Sequence, residues 1–351
     1  MLGKSGWNRL EPVTGPDSIL HQMALNETHH PPTPAVLEAV REAAARSHRT
    51  LDALASGLTS TLAEHLQVPP HDVMVGPGSG ALLQLLFTAF TGPDSHTVHA
   101  WPSWEAYPMM ARNAGSSVVR VPLTDERHDL PALAAAVTDR TRMVVVCNPN
   151  NPTGTVLAPG ALADFLDRLP GHVTVVLDEA YLDFADPGST DDGIDLYRRD
   201  ERVCVVRTFS KSHGLLSLRV GYLVGRPRVL DPLRGQQLFL RVSAAAQAAA
   251  IASLGEIADV SGRCRETARE RDRLHRILTG QGWVCAPSQA NFVWLPLTDG
   301  VEELTQHCAD HGILVCGKPG EGLRVTLAER AANDAFAARA AAFLTEQGSH
   351  A

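Results

Sequence analysis

Lys211 stands in the run Thr208-Phe-Ser-Lys-Ser-His-Gly214, just after the apolar stretch 203–206. The chain has 31 lysines and arginines, and only three are lysines: Lys4, Lys211 and Lys318. A sequence that uses arginine almost everywhere, yet keeps a lysine at the end of a buried strand, needs an amine that can lose its proton. Guanidinium does not deprotonate in proteins and cannot form an imine with an aldehyde, whereas a lysine amine can. Residue type and position together predict Schiff-base chemistry, with pyridoxal phosphate as the aldehyde.

Three other polar segments share this placement. NPNNPTG (148–154) follows the apolar run 143–147, DEAY (178–181) follows 173–177, and Gly-Pro-Gly-Ser-Gly (76–80) follows 73–75. Each falls at the C-terminal end of a predicted parallel strand, where open α/β sheets bind ligands. Taken singly, these residues have ordinary explanations. Asp178 could cap a turn, Trp104 could pack, Thr208 could be a strand residue, and Arg324 could pair with a structural carboxylate. Asn148, Asn150 and Pro152 read as turn formers. His213 reads as a packed or capping histidine and Lys318 as a loop charge.

The elements that must position these groups alternate. Short β-branched runs at 73–75, 118–121, 143–147, 173–177 and 203–206 are separated by helical or turn-rich stretches, with helical patterns at 34–47, 51–66 and 81–90. This predicts an α/β fold: a large domain whose mainly parallel, mixed sheet is sandwiched by helices. The runs lack a period of two, as expected of strands buried on both faces. Beyond residue 222 the pattern changes. An alanine-rich helix at 244–254 and a long amphipathic helix at 259–278 lead to strand signals at 292–295, 313–315 and 323–326 and a last helix at 335–344. These predict a smaller α+β domain. The expected organisation is an N-terminal arm (1–33) joining the small domain, a large domain (34–255) and a small C-terminal domain (256–351).

At 44% hydrophobic and 20% charged residues, the chain has the composition of a soluble globular protein. A net charge of −8 and the lack of a Lys/Arg cluster argue against a nucleic-acid surface. No apolar run approaches membrane-spanning length, and the polar N-terminus lacks a signal-peptide core. The six cysteines show no metal-ligand spacing, so no metal is expected. Reduced thiols in a cytoplasmic protein are the expectation.

In the order NPNNPTG, DEAY, SK-x-x-GL and LR-x-GY, the chain resembles the fold-type I, class I/II aminotransferases over residues 20–345, most closely their histidinol-phosphate aminotransferase branch. The resemblance implies pyridoxal 5'-phosphate bound to Lys211, which would also shuttle the Cα proton. Asp178 would pair with the pyridine nitrogen. Tyr181 and Asn151 would hydrogen-bond the phenolic oxygen, and Thr208, Ser210 and Arg219 would hold the phosphate with the amides of Ser79 and Gly80. Trp104 would stack on the ring. Arg324 would grip the substrate α-carboxylate through two hydrogen bonds. Asn26 and Arg241 are the further candidate substrate contacts. A homodimer with composite sites is implied as well.

The departures from that family fall on the substrate side. Thr50 replaces a tyrosine that in relatives reaches the partner subunit's cofactor phosphate. Cys316 follows Gly312-Ile-Leu-Val where histidinol-phosphate enzymes carry a second arginine. The arm segment Leu25-Asn-Glu-Thr-His-His-Pro-Pro32 lacks the usual Asn-Pro-x-Gly run, leaving His29 and His30 as either pocket lining or polar arm. Arg241 replaces an asparagine and reads as either a substrate contact or a solvent-facing side chain. The expected activity is transamination of an L-amino acid or a derivative other than histidinol phosphate, with a keto-acid acceptor, in a specialised amino-acid or natural-product pathway. The alternative is a lyase, decarboxylase or oxidative deaminase using the same cofactor.

Overall fold

The structure is a computed structural model and describes residues 21–348. Residues 1–20, most of the expected arm including Lys4, and 349–351 lie outside the described residues. A seven-stranded sheet forms the centre. Its strands are β2 (Val73–Gly76), β3 (His96–Trp101), β4 (Ser117–Pro122), β5 (Thr141–Cys147), β6 (Thr174–Asp178), β7 (Val203–Thr208) and β8 (Gly221–Gly225). The spatial order is β2-β8-β7-β6-β5-β3-β4. β8 runs antiparallel to β2 and β7, and the other neighbours are parallel. The sheet is therefore mixed and mainly parallel, as expected.

Alternation is present in the packing although it is absent from the hydrophobicity. In β5, Val144 and Val146 join one apolar cluster while Met143, Val145 and Cys147 join the other. β6 divides Val175 and Leu177 from Val176, and β7 divides Val203 and Val205 from Cys204 and Val206. Helices cover both faces, so neither row of side chains needs to be polar.

A second body holds the antiparallel sheet β11-β12-β9, made of β9 (Phe292–Pro296), β11 (Cys316–Lys318) and β12 (Gly322–Thr326). Its own core includes Leu274, Leu278, Trp283, Val293, Leu323 and Phe336. β1 (His21–Gln22) pairs in parallel with β10 (Ile313–Leu314), and Met23 is buried in the same core. The chain just before residue 34 is thus fastened to its C-terminal body. Among the described residues, no helix is long and apolar enough to cross a membrane.

Local chemistry sets the helix starts. Thr33 caps Pro34–Ala45 by accepting from the Val36 amide, with Pro34 opening the helix. The next helix was expected from residue 51 but begins at Ser56. The Asp52 carboxylate takes the amides of Leu54 and Gly57, and Ala55 adopts φ 54°, so the segment turns before it can wind. The helix Ser79–Phe90 behaves differently. It follows Gly78 at φ 87° and has no side-chain cap, so its first amides remain available.

Candidate active site

The sheet brings the sequence-predicted groups to one edge. Asp178 ends β6, Asn148–Asn151 leave β5, and Thr208–Lys211 leave β7. The Asn148 amide donates to the Asp178 carbonyl at 3.0 Å, tying the first two strand ends together.

Asp178 is 3% exposed. Its Oδ2 accepts from the Tyr107 hydroxyl at 2.7 Å, and its Oδ1 is buried with no hydrogen-bond partner among the described residues. Burial pushes its pKa up to about 6, against the downward pull of Tyr107 and the Ala180 amide. A buried carboxylate oxygen without a donor is costly, so this atom is suited to a ligand's N–H.

Lys211 is half-buried. Its amine donates to the carbonyls of Leu25 at 3.2 Å and Asn26 at 3.0 Å. Burial first, and then the positive charge of Arg324, draws its pKa down to about 7. Tyr181 is packed edge-on against Phe292, with ring centroids 5.1 Å apart, and its hydroxyl accepts from Asn26 Nδ2 at 2.9 Å. Burial holds that phenol well above the usual tyrosine range, so it stays a neutral donor. Asn26 is 1% exposed, and its Oδ1 accepts from Thr326. Its side chain is therefore engaged with Tyr181 and β12.

Arg324 is 6% exposed. It donates from Nη1 to Asn151 Oδ1 at 2.6 Å and from Nη2 to the Ala24 carbonyl at 2.7 Å. Nε is buried without a partner, and among the described residues no carboxylate pairs with this guanidinium. The charge lies 5.6 Å from the Phe292 ring centroid. Hydrogen-bonded only to neutral acceptors, with Glu105 acting on it from beyond ion-pair distance, the buried guanidinium is suited to an anion that arrives from outside.

A further group of donors surrounds the Gly76–Gly80 turn. Thr208 Oγ1 accepts from the Ser210 amide at 3.1 Å, and Arg219 Nη1 donates to Ser210 Oγ at 3.3 Å. A Cβ on Gly78 would meet Arg219 Nη2 at 2.5 Å, and a Cβ on Gly221 would meet the Ser79 amide at 2.6 Å. The two glycines thus let Arg219 and the uncapped helix start approach each other closely, which groups a cation with free amides as a phosphate would need. Trp104 stands over the turn: a Cβ on Gly80 would come within 3.4 Å of its ring.

The donor set fits pyridoxal phosphate: an anion cradle, a bare buried carboxylate oxygen and a neutralisable amine in one cleft. Several candidates lie elsewhere. Arg241 donates to the Val75 carbonyl at 2.7 Å, and no hydrogen bond joins it to Lys211, Asn26 or Arg324 among the described residues. His29 is exposed and stacks on His30 at 4.0 Å, and Thr50 is exposed. His213 pairs with Ser253 at 2.7 Å and packs on Phe209, which agrees with its structural reading. Lys318 corrects the expectation of a loop charge. It lies in β11 and binds Glu105 at 3.0 Å, because the strand carries it across to the segment after Trp104. Cys316 faces Arg324 in the β11–β12 register. Tyr107 and Phe292 were not singled out from sequence. Tyr107 does sit three residues after Trp104, in the helix that starts just beyond it, and the two rings meet edge-on at 5.5 Å.

This fold and cleft define a pyridoxal-phosphate-dependent enzyme of fold type I. The chain belongs to the aminotransferase class I and II family, whose model matches residues 20–339. It is 46% identical over 324 residues to an aromatic amino acid aminotransferase of Thermobifida fusca (strain YX), covering 92% of this chain and 90% of that one. A protein of the same description from Streptomyces coelicolor is 43% identical, covering 93% and 91%. Among solved structures, the histidinol-phosphate aminotransferase of Sinorhizobium meliloti in complex with pyridoxal-5'-phosphate superposes with a TM-score of 0.87 at 27% identity, covering 98% of this chain and 99% of that one. The protein is thus a pyridoxal-phosphate-dependent aminotransferase acting on an amino-acid-type substrate.

Proposed function

We propose that the substrate is an aromatic L-amino acid and that its amino group passes to a 2-oxo acid. The observation that carries this reading is the inventory of cations on the substrate side. Arg324 is free to hold an α-carboxylate, while Lys318 is neutralised by Glu105 and Cys316 is a thiol. An α-carboxylate thus has a clamp, whereas a terminal phosphate has none. Aromatic rings flank the groups assigned to substrate and cofactor, Phe292 packing on Tyr181 and lying near Arg324, and Trp104 standing over the Gly76–Gly80 turn, and the curated relatives carry the same substrate name.

The bound cofactor supplies an aldehyde for the amino group and a ring that accepts electrons. The chain's residues do the rest in this reading. Arg324 fixes the carboxylate, and with it the angle of the Cα–H bond to the ring. Lys211 takes and returns the Cα proton; as a free amine of lowered pKa it is competent near neutrality. Asp178 Oδ1 holds a proton at the ring nitrogen, and Tyr181 donates to the phenolic oxygen. Arg219, Ser210, Thr208 and the amides of Ser79 and Gly80 anchor the phosphate, with Asn151 keeping Arg324 in place.

With 2-oxoglutarate present, the purified enzyme should convert phenylalanine, tyrosine or tryptophan and leave histidinol phosphate almost untouched. Arg324→Ala should raise KM for the aromatic substrate roughly tenfold or more, the cost of removing a charge partner inside a dry site. Release of ammonia or carbon dioxide without an acceptor would reveal the lyase or decarboxylase reading instead. Efficient turnover of histidinol phosphate would overturn the substrate assignment.

The active unit is proposed to be a homodimer. Leu238 and Phe239 are 74% and 75% exposed in the single chain, and Leu54 and Leu37 are 62% and 54% exposed. In this reading these bare apolar side chains are among those that a partner subunit would cover. Thr50, exposed on the same chain segment as Leu54, is assigned to the partner's phosphate side, where it would reach less far than a tyrosine. Light scattering on the active enzyme should give twice the mass of 37.7 kDa, and Leu238→Asp with Phe239→Asp should lower it. An active wild-type monomer would refute the assembly.

A further inference from the structure

We propose that Tyr107 is the positioning residue for the cofactor's ring nitrogen: its hydroxyl fixes Asp178 so that Oδ1, and not Oδ2, is presented to the ring. The proposal rests on the reading that Asp178 faces that nitrogen.

Tyr107 is fully buried in the helix Ala106–Asn113, 71 residues before Asp178. Its ring cannot swing. Trp104 meets it edge-on at 5.5 Å, and His99 on β3 lies at 5.5 Å from another side. Its hydroxyl is therefore delivered to one carboxylate oxygen at 2.7 Å, which orients the other, bare and buried. Without that hydrogen bond the carboxylate could rotate about its own axis or turn toward Cys147.

The groups around the carboxylate are all kept neutral. Burial and the charge of Asp178 hold the Tyr107 phenol well above its ordinary range. The same two causes raise the Cys147 thiol on β5. The Ala180 amide approaches from the segment after β6, and the Tyr181 phenol is likewise held neutral. The single negative charge thus has no counter-ion among the described residues. It is balanced only when a protonated ring nitrogen lies against Oδ1.

The test compares two ligands of the apoenzyme: pyridoxal phosphate, and its analogue in which C–H replaces the ring nitrogen. Tyr107→Phe should weaken binding of pyridoxal phosphate roughly tenfold, the scale of a lost hydrogen bond to a charged group. It should leave affinity for the analogue unchanged, because that ligand offers Oδ1 nothing. Retained analogue binding also certifies the fold of the variant. Equal losses for both ligands, or no loss for either, would overturn the proposal. Asp178→Asn is measured in parallel. If it too fails to distinguish the ligands, the reading of Asp178 falls; if it distinguishes them and Tyr107→Phe does not, only the role of Tyr107 falls.

Discussion

Lys211→Ala should leave a folded protein that binds pyridoxal phosphate reversibly, cannot be labelled with it by borohydride, and has almost no turnover. Two functions rest on the one amine. In the proposed mechanism it is both the covalent anchor and the proton carrier at Cα. Loss of a positioned proton-transfer group alone costs roughly 10²–10⁴-fold in rate. Little else depends on this side chain, since its amine donates only to the carbonyls of Leu25 and Asn26. The apoenzyme adds a pH signature. Only the neutral amine attacks an aldehyde, and its pKa lies at about 7 instead of the ordinary 10.5, chiefly through burial and then through Arg324. The neutral fraction grows as pH rises through 7 and is nearly complete a unit or so above it. Covalent capture of the cofactor should therefore accelerate through neutrality and level off, and Arg324→Ala should move that rise to higher pH. A variant lacking Lys211 that still retains cofactor after reduction would place the nucleophile elsewhere.

The residues legible from the chain alone, without the family resemblance, share one property: each is fixed by its own strand end. Asp178 closes β6 and Lys211 follows β7 by a short turn, so an apolar run followed by a polar motif located them without knowledge of any contact. Contacts across the chain were not legible. β3 escaped notice because His96 and His99 interrupt its apolar run; burial keeps His99 neutral, with its pKa down at about 4, so it serves as strand lining. β8 was hidden in the LR-x-GY motif, and its antiparallel course turns the sheet from parallel to mixed. Asn26 reaches Tyr181 over 155 residues and Tyr107 reaches Asp178 over 71, and neither pairing leaves a local pattern. Lys318 looked like a loop charge because a three-residue strand is too short to show periodicity. The substrate side is assembled from such distant pieces, which is why the cofactor was readable and the substrate was not.

Asp178→Asn should keep the cofactor bound and lose most of kcat. The replacement is close to isosteric, and an asparagine oxygen can still accept from Tyr107, so the buried contact at 2.7 Å can survive. What disappears is the negative charge that the proposed mechanism sets beside the ring nitrogen. Among the described residues nothing else supplies one there: Tyr107, Cys147 and Tyr181 are all held in their neutral forms by burial. Without that charge the introduced asparagine could no longer hold a proton at the ring nitrogen, the electron-accepting chemistry the cofactor would supply would be weakened, and the effect would be felt only as charge develops at Cα. The penalty therefore belongs to the transition state and should appear in kcat, with KM nearly unchanged, because Arg324 still holds the carboxylate. By analogy with the deletion of one preorganised electrostatic group, the loss should be roughly 10²–10³-fold, or about 3–4 kcal/mol. Steady-state kinetics on the Asn variant, with cofactor content measured on the same sample, checks both halves. A near-normal kcat, or a loss confined to KM, would mean that Asp178 does not face the ring nitrogen.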